Sequence, residues 1–193
     1  TSGSMEGTSI DGARRALIMA LGRLAPEDRF NVIEFNSVTR ALYPDSRRAL
    51  PDAIEEAKRW VSKLKAQGGT EMMPALAAAL RSPGDDSGTA MVRQVLFMTD
   101  GAVGNEEELF RYIQDHLGRS RLFTVGLGSA PNSHFMTKAA EFGRGTFTFV
   151  ASAAEVDPKM SALFRKLEAP VLTNLEMAWD DASAEVWPSR VPD

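Results

Sequence analysis

The sequence predicts a doubly wound α/β fold, and three observations carry the prediction. From Arg29 onward, short β-type runs alternate with amphipathic helical runs, the pattern of strands joined by crossover helices. Residues 92–98 (VRQVLFM) are almost continuously apolar, as a parallel strand covered on both faces must be. The turn formers Gly68-Gly69-Thr70 and Thr99-Asp100-Gly101 punctuate this pattern. Asp100 sits at a strand's carboxyl end, where open α/β sheets carry their ligands.

The elements follow in order. Residues 9–24 place Ile10, Ala13, Leu17, Ala20, Leu21 and Leu24 at helical spacing, and Pro26 stops the pattern. Residues 29–35 (RFNVIEF) are rich in β-branched and aromatic side chains and read as one strand. Residues 38–43 read as a second, ended by Pro44. A helix over 50–65 carries Ile54, Ala57, Val61 and Leu64 on one face, with Trp60 covering its edge. Beyond the glycine loop 67–70, the next helix spans 73–80 with Pro74 in its first turn, where a missing N–H costs nothing. Residues 82–89 (SPGDDSGT) form a surface loop.

After strand 92–98 come helix 106–117, strand 122–127, helix 133–142, strand 145–150 and helix 154–167. Past Pro170 the pattern changes to two strand-like pieces, 171–179 and 184–187, around Asp180-Asp181. The expected organisation is therefore an α/β domain over 1–169 and a short β-like extension over 170–193.

At 193 residues the chain can bury about 70% of its unfolded surface in one core. A net charge of −4 with scattered Lys and Arg leaves no footprint for nucleic acid or an anionic membrane. The absence of cysteine excludes disulfides, thiolate zinc sites and a cysteine nucleophile. No apolar run approaches the roughly 20 residues that cross a bilayer, so direct membrane insertion of this segment is excluded.

Several residues read as scaffold. His116 and His134 have no partner at i+4, so a helical zinc pair is not supported. Gly126-Leu127-Gly128 follows a strand, but Pro131 and Asn132 stand where a dinucleotide fingerprint needs its third glycine, and no Gly-Lys-Ser or Gly-Lys-Thr occurs. These glycines make a tight turn. Asp28 reads as a helix-to-strand turn residue, the nine methionines as core filler, and Phe147 and Phe149 as facing one side of the sheet.

The chemistry rests on Ser2, Ser4, Thr70 and Asp100, which supply three hydroxyls and one carboxylate. Oxygen donors of this kind suit a small hard cation such as Mg²⁺, which takes about six oxygens and keeps several waters. Two functions compete: a binding module, and a hydrolase using a metal-activated water. The second needs a general base, for which Glu71 and Glu106 are the nearby candidates by sequence, each reading better as a solvated charge.

Ser2-x-Ser4, Gly68-Gly69-Thr70 and Thr99-Asp100-Gly101 resemble the metal-ion-dependent adhesion site of von Willebrand factor type A domains. FNVIEF at 30–35, TDGAVGNE at 99–106 and FTVGLG at 123–128 are similar to the inter-alpha-trypsin inhibitor heavy-chain group, particularly its bacterial members. The resemblance implies a mostly parallel six-stranded sheet with one antiparallel edge strand. It also implies Mg (or Mn or Ca) held by Ser2, Ser4 and Thr70, with Asp100 contacting it directly or through water. A partner protein's Asp or Glu would complete the site, in a cell-envelope or extracellular setting.

The family pattern is Asp-x-Ser-x-Ser, and the chain starts at the first x. The leading aspartate and the strand before it, central in the family's sheet, are thus missing from these residues. The expectation is a fragment of a longer protein with an adjoining upstream domain. Its first central strand would lie outside the fragment or be supplied by another segment, and its metal site would be weak or empty.

Overall fold

A computed structural model of the chain describes residues 1–80, 92–100, 104–128 and 131–168. Helix α1 spans Thr8–Leu21. It is followed by β1 (Arg29–Phe30), β2 (Ile33–Phe35), β3 (Thr39–Ala41) and β4 (Arg47–Arg48). Helices α2 (Pro51–Ser62) and α3 (Met72–Leu80) lead to β5 (Gln94–Thr99). Then come α4 (Glu106–His116), β6 (Arg121–Leu127), α5 (Ser133–Phe142), β7 (Phe147–Val150) and α6 (Val156–Glu168). The predicted surface loop at 82–89 and the β-like extension at 170–193 lie outside the described residues.

Strands β5, β6 and β7 form a parallel sheet in that order, with Gln94 opposite Arg121 and Thr124 opposite Phe147. Strand β2 pairs antiparallel with β3 and β1 pairs antiparallel with β4, as two separate two-stranded sheets, so the single six-stranded sheet that the resemblance implies is not seen among the described residues. Along β6 the side chains alternate between two cores, as a period of two requires. Phe123, Val125 and Leu127 pack with α1, α2 and α6. Leu122 faces α3, α4 and α5, together with Phe35 and Phe97. Helices on both faces of a parallel sheet are the doubly wound arrangement that the alternation predicts.

Three sequence expectations about these elements need correction. Residues 29–35 are not one strand, because Asn31 interrupts them. Its amide oxygen accepts from the backbone N–H of Val32 (2.9 Å) and Tyr43 (3.1 Å), and its amide nitrogen donates to the Tyr43 carbonyl (2.8 Å). One side chain thus replaces the ladder and sends β1 and β2 to different partners. Strand β4 was not expected; its two arginines give no apolar alternation. The first helix stops at Leu21 rather than Leu24, with Gly22 in the capping position. Phe147 and Phe149, two apart on β7, face the same side of the sheet as expected; Phe147 packs on the second core, and Phe149 lies half-buried with Lys159 Nζ 5.5 Å from its ring centre.

Asn31→Ala should cost about 2 kcal/mol, since three hydrogen bonds go and two N–H groups lose their partner. Urea unfolding checks this: the midpoint should fall while the slope stays constant.

Candidate functional site

The segment before α1 forms a short 3₁₀ turn over Gly3–Met5, and Gly7 at φ 82° turns it into the helix. That positive φ favours glycine. The turn is anchored by apolar burial of Met5, which is 2% exposed, and by Ser2, also 2% exposed. Ser2 Oγ and Ser4 Oγ lie 2.9 Å apart, so the Ser-x-Ser spacing brings both hydroxyls to one point.

Backbone bonds sew this turn to the Gly68 loop. Gly3 N–H donates to Gly68 O (3.0 Å), and Gln67 N–H donates to Thr1 O (2.9 Å). The loop is held from its other side by the turn after β2. Ser37 Oγ accepts from Gly69 N–H (2.7 Å), and Asn36 O accepts from Glu71 N–H (2.8 Å). Gly68 has φ +75°, and a Cβ there would sit 2.9 Å from Ser37 Oγ, so the glycine is required by conformation and by space. Thr70 is therefore carried by a loop clamped between the serine turn and β2.

Asp100 follows β5 directly and is half-buried. Its Oδ1 is 3.5 Å from the Thr99 hydroxyl. The backbone nitrogen of Thr1 lies between the two halves of the site. It donates to Phe35 O (3.1 Å), as does the Thr1 hydroxyl (2.9 Å). The carboxylates of Glu34 and Asp100 lie near it. Thr1 thus stands between the carboxyl ends of β2 and β5, beside Ser2.

The chemistry of this set fits a hard cation: a converged hydroxyl pair, a threonine on the adjoining loop, and a carboxylate across the crest. Among the described residues there is no group of three or more His, Cys, Asp or Glu that could hold a metal. Sequence reasoning missed Thr1, Asn36 and Ser37. The last two hold the loop through side-chain and carbonyl bonds that have no periodic signature.

The remaining candidates are occupied elsewhere. Glu106 accepts from Asn132 Nδ2 (2.5 Å) and lies 3.6 Å from His134 Nδ1. It ties α4 to α5, whose N-cap is Asn132. Glu71 is exposed. His116 stacks on Tyr112 with ring centres 4.0 Å apart. Asp28 Oδ2 accepts from Ala25 N–H (2.8 Å), the turn role expected of it. Gly128 has φ +97° and leaves no room for a Cβ against Ser9 Oγ at 2.6 Å, so Gly126-Leu127-Gly128 is a tight turn.

An open α/β sheet whose crest carries a Ser-x-Ser turn, a Gly-Gly-Thr loop and a strand-end aspartate defines a class of ligand-binding domain. The chain belongs to the von Willebrand factor type A domain family, whose model matches residues 1–149. It is 28% identical over 179 residues to a von Willebrand factor A domain-containing protein of Dictyostelium discoideum, covering 92% of this chain and 19% of that one. It is 26% identical over 195 residues to the inter-alpha-trypsin inhibitor heavy chain H2 of Mesocricetus auratus, covering 94% and 20%. A solved von Willebrand factor type A structure from Catenulispora acidiphila superposes with a TM-score of 0.73 at 26% identity, covering 83% of this chain and 39% of that one. The chain thus spans about a fifth of the length of these sequence relatives. Domains of this family serve in general as interaction modules, and some hold a metal ion.

Proposed function

We propose that this chain is a metal-ion-dependent protein-binding module in which Ser2, Ser4, Thr70 and Asp100 hold Mg²⁺, or Mn²⁺ or Ca²⁺ in its place. A carboxylate of a partner's Asp or Glu would complete the coordination. The observation that carries this reading is the Ser2–Ser4 hydroxyl contact at 2.9 Å, on a turn sewn to the Thr70 loop.

A bound hard cation supplies one electrophilic position for a carboxylate oxygen. The chain's own residues do the rest. The serine turn and the clamped glycine loop fix the hydroxyls in advance, so little ordering entropy is lost on binding. Asp100 provides the charge, and with one carboxylate in the set the affinity for the ion alone is low. The partner's carboxylate then adds the second charge, which makes partner and ion bind cooperatively. Hydrolysis is not favoured: Glu106 is engaged by Asn132 and His134, and Glu71 is exposed. An envelope or extracellular setting fits a domain of this kind. Among the described residues no helix is long and apolar enough to cross a membrane.

A titration with N-acetyl-aspartate amide, followed by amide NMR shifts, tests the reading. With excess Mg²⁺ the shifts should move at Gly3, Ser4 and Thr70, and with a chelator they should not. Asp100→Ala should remove the response. Shifts that persist in chelator would count against metal dependence.

A further inference from the structure

One peptide unit joins the two halves of the hydroxyl set. The carbonyl of Gly68 accepts from Gly3 N–H (3.0 Å), and the N–H of the same unit, on Gly69, donates to Ser37 Oγ (2.7 Å). The C=O and N–H of a trans peptide point in opposite directions, so this unit is a strut between the serine turn and the turn after β2. Its first anchor lies between Ser2 and Ser4 in the chain, and its second lies one residue before Thr70.

The two ends of the strut are held differently. The Gly3 end is main chain to main chain. The Ser37 end is an exposed side chain, and among the described residues no other side chain bonds to this unit. Glycine stands on both sides of the unit, so rotating it by half a turn meets no Cβ of its own residues. The neighbouring bonds, Gln67 N–H to Thr1 O and Glu71 N–H to Asn36 O, lie outside the unit and survive such a rotation. The rotation would carry the Gly68 carbonyl away from Gly3 N–H, and the serine turn would lose that bond to the loop that carries Thr70. A flip therefore breaks two hydrogen bonds when Ser37 is present and one when its hydroxyl is removed.

We propose that Ser37 is a positioning residue for the hydroxyl set: its Oγ latches the Gly68–Gly69 peptide in the orientation that keeps the Ser2–Ser4 turn and Thr70 in register. The consequence for ion affinity rests on the metal-site reading above, while the latch itself is a property of the ion-free chain. Ser37 acts through Gly69 alone. Because Oγ is the acceptor, the position requires a hydroxyl and not a charge.

The test uses the whole 193-residue chain and its Ser37→Ala and Ser37→Thr variants. In chelator, Ser37→Ala should speed amide exchange about fivefold or more at Gly69, which loses its acceptor, and at Gly3, which Ser37 does not touch. Amides of β6 should exchange as in the unaltered chain, which separates a latch from general loosening. With Mn²⁺, the concentration that half-broadens the Gly3 and Thr70 signals should rise about five- to tenfold in Ser37→Ala. Ser37→Thr keeps the acceptor and should restore both readouts. Faster exchange at Gly69 with Gly3 unchanged, Mn²⁺ affinity unaltered in Ser37→Ala, or equal defects in the two variants would overturn the proposal. An unaltered chain whose Gly3 and Thr70 signals Mn²⁺ does not broaden would refute the metal-site reading instead, and the exchange rates in chelator would still decide the latch.

Discussion

Gly145→Ala is expected to lower the melting temperature by about 6–12 °C, the result of overpacking worth about 3 kcal/mol in a domain of this size. A Cβ at Gly145 would lie 2.3 Å from the Leu122 carbonyl oxygen and 2.8 Å from its carbonyl carbon. Both are backbone atoms of β6, so no side chain can swing aside to relieve the clash. The surrounding bonds fix the approach. Leu122 N–H donates to Gly143 O (2.8 Å), and Gly145 N–H donates to Ala140 O (2.9 Å). Moving the turn away would therefore disturb the end of α5 and the start of β6 together. Gly104→Ala is the control, because a Cβ there meets nothing within 4 Å. Thermal melts followed by circular dichroism check both, and equal melting temperatures would refute the argument.

Phe135→Ala should cost about 3–5 kcal/mol, the range for deleting a fully buried aromatic side chain. Phe135 is 1% exposed and stacks on Phe110 at 5.5 Å, inside the core shared by α3, α4 and α5. Its backbone N–H is also capped by Asn132, so the side chain is pinned at the first turn of α5. The cavity cannot collapse without moving that cap. Urea denaturation should show the loss as a lower midpoint, and Phe135→Leu should recover part of it.

The doubly wound architecture is legible in the sequence because it depends on periodicity. The apolar run at β5 and the helical spacing in α1, α2 and α4 report burial on defined faces. The breaks are not legible, since they come from single polar side chains acting as backbone. Asn31 splits one predicted strand into two, and its residue type says turn, cap or loop without saying which.

The site shows the same division. Spacing alone suffices to pair Ser2 with Ser4. The attachment of that turn to the Gly68 loop depends on the long-range bonds of Gly3, Gln67 and Ser37, and neither propensity nor pattern encodes those. The antiparallel β1–β4 pair is likewise invisible. Its facing arginines, Arg29 opposite Arg48, contradict the rule that like charges avoid each other across a ladder. Arg47 instead lies over Tyr43 at 4.7 Å, and Arg29 reaches back to Ser46, so local contacts hold the strand that charge alone would disfavour.

The most direct test of the proposed site is a Mn²⁺ titration of the chain followed by paramagnetic broadening of its amide signals. Broadening should begin at Gly3, Ser4, Gly69, Thr70 and Asp100, be reversed by excess Mg²⁺, and vanish in both Asp100→Ala and the Ser2→Ala, Ser4→Ala double variant. Broadening that starts instead at exposed acidic residues such as Glu107 and Glu108, or that survives in both variants, would contradict a metal site built from these four side chains.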